Sequence, residues 1–257
     1  MESSGLPSCF CEHCHQELKV EMKFCSCCGT ARTRQHTAAD AVRWYQLQHA
    51  ALFFLMELLC CIFALVVQQW TLTIMVAVTI VMATSSVLFF KSDWQQSKYL
   101  LRWPSFSWLK LLMFVGLAIV SSILVGISTD YLNSHLFKAT MDYGNIYKPY
   151  SYGNCLMVLL MAVCPAVFEE LAYRGYLIQK LSAVVDQKEA MYISSILFFL
   201  VHFSIASFYW MLPFALILGY IRIKENTLWY GILIHFFFNL TVCVSEIWNI
   251  NFSELFS

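Results

Sequence analysis

Seven apolar runs, at about residues 48–67, 71–90, 109–128, 153–168, 190–205, 207–221 and 228–248, limit this chain more than any other feature. A helix needs roughly 20 such residues to cross a bilayer. The first three runs and the last come near that length, whereas the fourth to sixth are shorter and carry polar groups, a pattern that suggests a bundle built around a cavity. Charged residues make up 12% of the chain and hydrophobic ones 60%. Soluble domains average roughly 25% charged, so the composition excludes disorder, a nucleic-acid-binding surface and an ordinary cytosolic enzyme. The fold class read from this pattern is all-α, a polytopic membrane helix bundle. Residues 175–187 (GYLIQKLSAVVDQ) are amphipathic and read as an interfacial or partly inserted helix, which leaves the count at seven or eight transmembrane helices.

Charge is balanced overall, with 16 Lys+Arg against 16 Asp+Glu, but its distribution is polarised. In a seven-span arrangement Lys19, Lys23, Arg32, Arg34, Arg43, Lys91, Lys98, Arg102, Lys110, Arg174, Lys180, Lys188, Arg222 and Lys224 fall on inner segments. Only Lys138 and Lys148 fall outside, in a loop at about 129–152. The asymmetry predicts a cytoplasmic N-terminus and an external C-terminus. The first forty residues contain no apolar run resembling a signal-peptide core, so the N-terminus is expected to be retained.

Six of the eleven cysteines lie between Cys9 and Cys28, in CFCEHCHQELKVEMKFCSCCG. Cys11-x2-Cys14 and Cys25-x2-Cys28 can each form a knuckle, and the ten residues between them are enough for a short hairpin that brings four thiolates to one tetrahedral zinc. Gly29 suits the tight turn after the second knuckle. A domain this small has little core, so the metal would supply most of its folding free energy. Cys9, Cys27, His13 and His15 are spare ligands in this register. The predicted organisation is a zinc ribbon at 9–29, a linker at 30–47, membrane helices at 48–128 and a polar-bearing core at 150–248. The ribbon resembles modules that begin many prokaryotic membrane proteins, which implies a prokaryotic cell membrane.

Ionisable groups at membrane depth are costly and therefore informative. The fourth run leads into CPAVFEELAYRGYL, with Glu169-Glu170-x-x-x-Arg174, and is taken to end there, opening the site toward the cytoplasm. The fifth contains FFLVH, with Phe198 one turn before His202; the last contains HFFFN, with His235 one turn before Asn239. Neighbouring Glu169 and Glu170 project about 100° apart on a helix, whereas Glu170 and Arg174 share a face. One carboxylate is thus expected to be structural and the other reactive. Glu57, in the first run, receives no role.

These three motifs, in this order on successive membrane helices, resemble those of the CPBP intramembrane protease family, also called the Abi or CAAX-protease family. The resemblance covers about Tyr150 to Ile247, including Asn226-Thr227-Leu228-Trp229. It implies that Glu169, with His202, polarises a water to attack a scissile carbonyl, and that His235 and Asn239 stabilise the oxyanion. Glu170 and Arg174 are then scaffold, and Phe198 packs beside the site. A Glu/His/His set could also hold zinc, but the glutamate-and-water mechanism of the prenyl endopeptidase branch favours a metal-free site.

The implied function is an intramembrane endopeptidase acting on a membrane-associated peptide or protein, of the kind linked to CAAX, bacteriocin-processing or self-immunity roles. The alternative is a non-proteolytic membrane scaffold or immunity protein that regulates a partner through the same fold. The ribbon adds a surface for a cytoplasmic protein partner and lacks the dense basic patch of a nucleic-acid reader.

Overall fold

The computed structural model describes residues 9–11, 13–18, 22–31, 38–67, 69–104, 106–132, 135 and 144–250. Lys19, Arg32, Arg34 and Lys138 lie outside these residues, as do residues 32–37 of the predicted linker and 133–134 and 136–143 of the predicted outer loop. The chain divides into two compact units, Met1–Trp44 and Tyr45–Ser257.

In the first unit, strands β1 (Cys9–Phe10) and β2 (Glu17–Leu18) pair antiparallel, and an isolated bridge joins Phe24 to Ala31. Two knuckles of the same design result. Cys11 N–H donates to Gln16 O and His15 N–H to Cys11 O; Cys25 N–H donates to Thr30 O and Gly29 N–H to Cys25 O. The fourth residue after each leading cysteine takes the left-handed conformation, Gly29 at φ 71° and His15 at φ 55°. Gly29 does so without steric cost. His15, counted among the spare ligands, therefore occupies a backbone turn position.

Seven principal helices follow: α1 (Ala38–Val66), which begins in the first unit and continues into the second, and, within the second, α2 (Leu72–Ser92), α3 (Trp108–Leu132), α4 (Gly153–Ser182), α5 (Gln187–Leu200), α6 (Phe208–Glu225) and α7 (Trp229–Trp248). All except α5 contribute to the six segments long and apolar enough to cross a membrane. The helix leading into the first apolar run already begins at Ala38, within the stretch read as linker.

The fourth span corrects the sequence reading in two respects. It does not end near Glu169 but continues to Ser182. Glu169 and Glu170 consequently lie near its middle, not at a cytoplasmic mouth. Residues 175–182, expected to begin a separate interfacial helix, complete this span, with Tyr176, Leu177, Ile178 and Leu181 buried. Pro165 lacks an N–H for the preceding turn, and wide π-helical turns occupy Leu159–Val163 and Glu170–Leu177 on either side of it. Such widened turns are frequent at functional sites.

Helix α5 has 14 residues, about 21 Å at 1.5 Å per residue. An Asp186 and Glu189 capping box starts it cleanly. Its first turn follows the α4 end where Lys180 meets Asp93, close in sequence to the end of α2. The start of α6, by contrast, lies at the far end of α3, where Tyr209 Oη is 2.7 Å from Ser128 Oγ. α5 and the turn after it therefore traverse the bundle, and α6 returns, with Glu225 bonded to Lys110 at the start of α3. α7 then runs from Trp229, whose indole N–H donates to Leu101 O, to Cys243, which packs with Tyr147.

Lipid offers helices no hydrophobic drive to associate, so close approach depends on small residues and polar links. Ala162, Ala166, Ala172, Ala190, Ala215 and Ala118 are buried accordingly. Leu52, Leu59, Ile80, Leu88, Leu112 and Leu124 on α1 to α3 face outward. Asp93 and Lys180, each 6% exposed, form a 2.9 Å pair that fastens α4 beyond the end of α2. Replacing Lys180 with Ala strands a buried carboxylate and should cost about 3–5 kcal/mol. The double change Asp93→Leu with Lys180→Met should recover most of that loss, as read from thermal melting of purified protein.

Candidate active site and metal centre

Glu170 is fully buried, and one oxygen of its carboxylate serves two partners. Glu170 Oε1 lies 3.0 Å from Arg174 Nη1, one turn along α4, and 3.1 Å from His235 Nδ1 on α7. The first contact is ionic; its N–H is not aligned for a hydrogen bond. The second sets the imidazole, because a ring nitrogen facing a carboxylate carries the proton and donates it. Glu170 Oε2 is buried without a hydrogen-bond partner among the described residues and lies against Gly231, where a Cβ would come within 3.0 Å. Gly231 is one turn before His235, so its missing side chain gives the carboxylate its place.

Arg174 is 1% exposed and held from three sides. Its Nη2 donates to Ala215 O at 3.3 Å, its Cζ lies 4.5 Å from the Phe198 ring centroid, and its own carbonyl accepts Arg222 Nε at 2.9 Å. Phe198 thus lies over the cation instead of merely filling space. Tyr173 packs edge-on against Phe198, and Phe214 packs edge-on against His235.

Glu169 faces the other nitrogen of the same histidine. Its Oε2 is 3.8 Å from His235 Nε2, and its side chain keeps 22% exposure. That separation is too long for a direct hydrogen bond. It lets one water sit to the side, in reach of both groups.

His202 lies just past the end of α5 and is exposed, with its Nδ1 2.8 Å from Phe198 O. That bond leaves Nε2 as the acceptor of a neutral ring. Phe203 follows at φ 49°, a conformation few bulky residues adopt. The Phe198 centroid is 4.8 Å from the ring of His202 and 6.4 Å from that of His235, so this side chain borders both imidazoles. Asn239 is half-buried one turn beyond His235.

The structure therefore gathers Glu169, Glu170, Arg174 and His235 tightly, with His202 and Asn239 at the margin. The bond from His235 to Glu170 and the clearance at Gly231 were absent from the sequence reading. Helix spacing relates residues on one helix and says nothing of which carboxylate meets a ring on another.

The family description "Type II CAAX prenyl endopeptidase Rce1-like" matches residues 151–241. The chain carries an Rce1-like domain of the CAAX prenyl protease (CPBP) family. That is a protease family, and its match contains every motif residue from Glu169 to Asn239. The N-terminal cysteines and Glu57 lie outside the matched segment. No curated protein and no solved structure matches the chain.

Sγ atoms of Cys11, Cys14, Cys25 and Cys28 all lie within 4.8 Å of one another. Cys11 and Cys28 are 3.5 Å apart, and Cys14 and Cys25 are 3.4 Å apart. Sulfurs around a tetrahedral zinc, at about 2.3 Å from the metal, stand about 3.8 Å apart, so the cluster fits that ion. Bonds from Thr30 push the Cys28 thiol down to about 6, and backbone amides at Cys28 and Cys27 lower Cys25. Cys14 goes up, its amide donor at Gln16 outweighed by burial and by the thiols around it. Among the described residues no other set of three or more His, Cys, Asp or Glu side chains comes together in this way.

Purified protein should contain about one zinc per chain by elemental analysis, as a four-cysteine site requires. Changing Cys11 and Cys14 to Ser should remove it. Full zinc retention in that variant would place the ligands elsewhere.

Proposed function

We propose that this protein is an intramembrane endopeptidase that hydrolyses a peptide bond of a membrane-associated protein with water activated by Glu169. The observation that carries this reading is the position of Glu169 Oε2, 3.8 Å from an imidazole whose far nitrogen is fixed by a buried carboxylate. The membership of residues 151–241 in a protease family supports it.

Water attacks the scissile carbonyl carbon as Glu169 takes its proton. His202 Nε2 accepts the second water hydrogen and aligns the lone pair. Negative charge then develops on the carbonyl oxygen. In its imidazolium form His235 donates Nδ1–H to Glu170 and turns Nε2–H to that oxygen, with the Asn239 amide as second donor. The proton on Glu169 passes to the leaving nitrogen as the C–N bond breaks, so protons balance over one turnover.

The path of α5 between the two ends of the bundle supports seven crossings with the chain ends on opposite sides, and the distribution of basic residues favours an inner N-terminus. The ribbon then lies in the cytoplasm, where thiols stay reduced and where it can meet a protein partner. A reporter after Lys98 should read cytoplasmic and one at the C-terminus external. Both on one side would remove α5 as a crossing.

The catalytic test is cleavage of a quenched fluorescent peptide with a farnesylated CAAX end by folded protein in lipid vesicles. Glu169→Gln should fold, insert and lose turnover. Asn239→Ala should lose roughly 10²–10³-fold and keep a residue of activity. Glu170→Gln should lose both thermal stability and turnover, because Arg174 and His235 share its carboxylate. Full activity in Glu169→Gln overturns the mechanism, and an unchanged cellular phenotype in that variant would favour the scaffold reading. Comparative membrane proteomics of wild type and Glu169→Gln should show an uncut substrate accumulating in the variant.

A further inference from the structure

A second acidic group stands opposite the site. Glu57, on α1, is 2% exposed, and its only described hydrogen bond comes from Ser85 Oγ on α2, at a long 3.4 Å. A buried carboxyl with so little support is expensive in a bilayer, yet packing alone does not need one.

Its register on α1 shows what it faces. His49, Phe53 and Glu57 recur every fourth residue and form one stripe. Tyr176 Oη donates to His49 O at 3.3 Å. One turn on, the Phe53 ring packs edge-on against Tyr176 at 5.5 Å and Tyr173 at 5.6 Å. The partners move backward along α4 as the sequence moves forward along α1, so the helices are antiparallel. The next turn of α1 brings Glu57, and the next turn of α4 brings Glu169.

Tyr173 completes the arrangement. It is 1% exposed, and its hydroxyl is buried without a hydrogen-bond partner among the described residues. Tyr173 is one turn from Glu169 on α4, and its ring packs against Phe53, one turn from Glu57 on α1. Buried hydroxyls are ordinarily paired, so an unpaired one a turn away from two acidic residues points to a bridging water.

We propose that Glu57 is a positioning residue for hydrolysis, holding the Glu169 carboxylate in its working orientation through the Tyr173 hydroxyl and a water between them. The inference rests on the protease reading above and adds a group from outside the family segment. Glu169 alone has rotational freedom at its 22% exposure; a link to α1 on one side and His235 on the other fixes which oxygen meets the water.

The test uses the full-length protein in vesicles and the farnesylated CAAX peptide. Glu57→Leu removes a buried polar group and should keep or raise the melting temperature. Its kcat should nevertheless fall roughly 10- to 100-fold, as misalignment of a reacting group does, with KM unchanged. Tyr173→Phe keeps the ring packing and should show a similar fall, and the double variant should be no worse than either single one. Glu57→Gln, which retains hydrogen-bonding capacity, should recover part of the activity. Full kcat in folded Glu57→Leu or in Tyr173→Phe overturns the inference, as do losses that add in the double variant or that track a lowered melting temperature. Turnover by Glu169→Gln in the same assay, or none by wild type, defeats the protease reading itself.

Discussion

One carboxylate oxygen organises this membrane unit. Glu170 Oε1 reaches Arg174 along its own helix and His235 across to α7, all three nearly excluded from solvent. A lone charge at that depth would be prohibitive, and each partner is present because it offsets the others. The need to satisfy Glu170 also explains less obvious choices. Gly231 clears space for it, Phe198 lies over the guanidinium, and Ala215 on α6 offers its carbonyl to Arg174. Three helices are tied together by groups that also define where reacting atoms can stand.

Stability and function are thereby separated along α4. Its Lys180 end is fastened to Asp93, and Arg222 bonds both the Arg174 carbonyl and Gln179. Those contacts make the helix a fixed rail. Neighbouring side chains on a helix project about 100° apart, so Glu170 turns inward while Glu169 keeps partial access. Adjacent residues of one chemical type acquire different tasks from the faces they occupy and the neighbours each meets.

Much of this was legible in the sequence because its signals are local. The two C-x-x-C pairs identified the four sulfurs that converge, and the E-E-x-x-x-R, F-x-x-x-H and H-x-x-x-N motifs identified the protease domain that residues 151–241 match. Span lengths were read less well. The polar residues after Phe168 looked like the end of a helix, but inside a bundle Glu170, Arg174 and Lys180 are paired, so the hydrophobic signal stops before the helix does. Individual contacts between helices were not legible. Nothing near Gly231 indicates Glu170, because that meeting depends on the register between helices far apart in sequence.

The proposed mechanism depends on the proton between His235 and Glu170. Nitrogen-15 NMR of histidine-labelled protein in lipid, with His235 assigned by comparison with His235→Gln, reads that proton directly. The account predicts a protonated Nδ1 whose signal shifts when Glu170 becomes Gln. A bare Nδ1 with the proton on Nε2 alone, unchanged in Glu170→Gln, would contradict it.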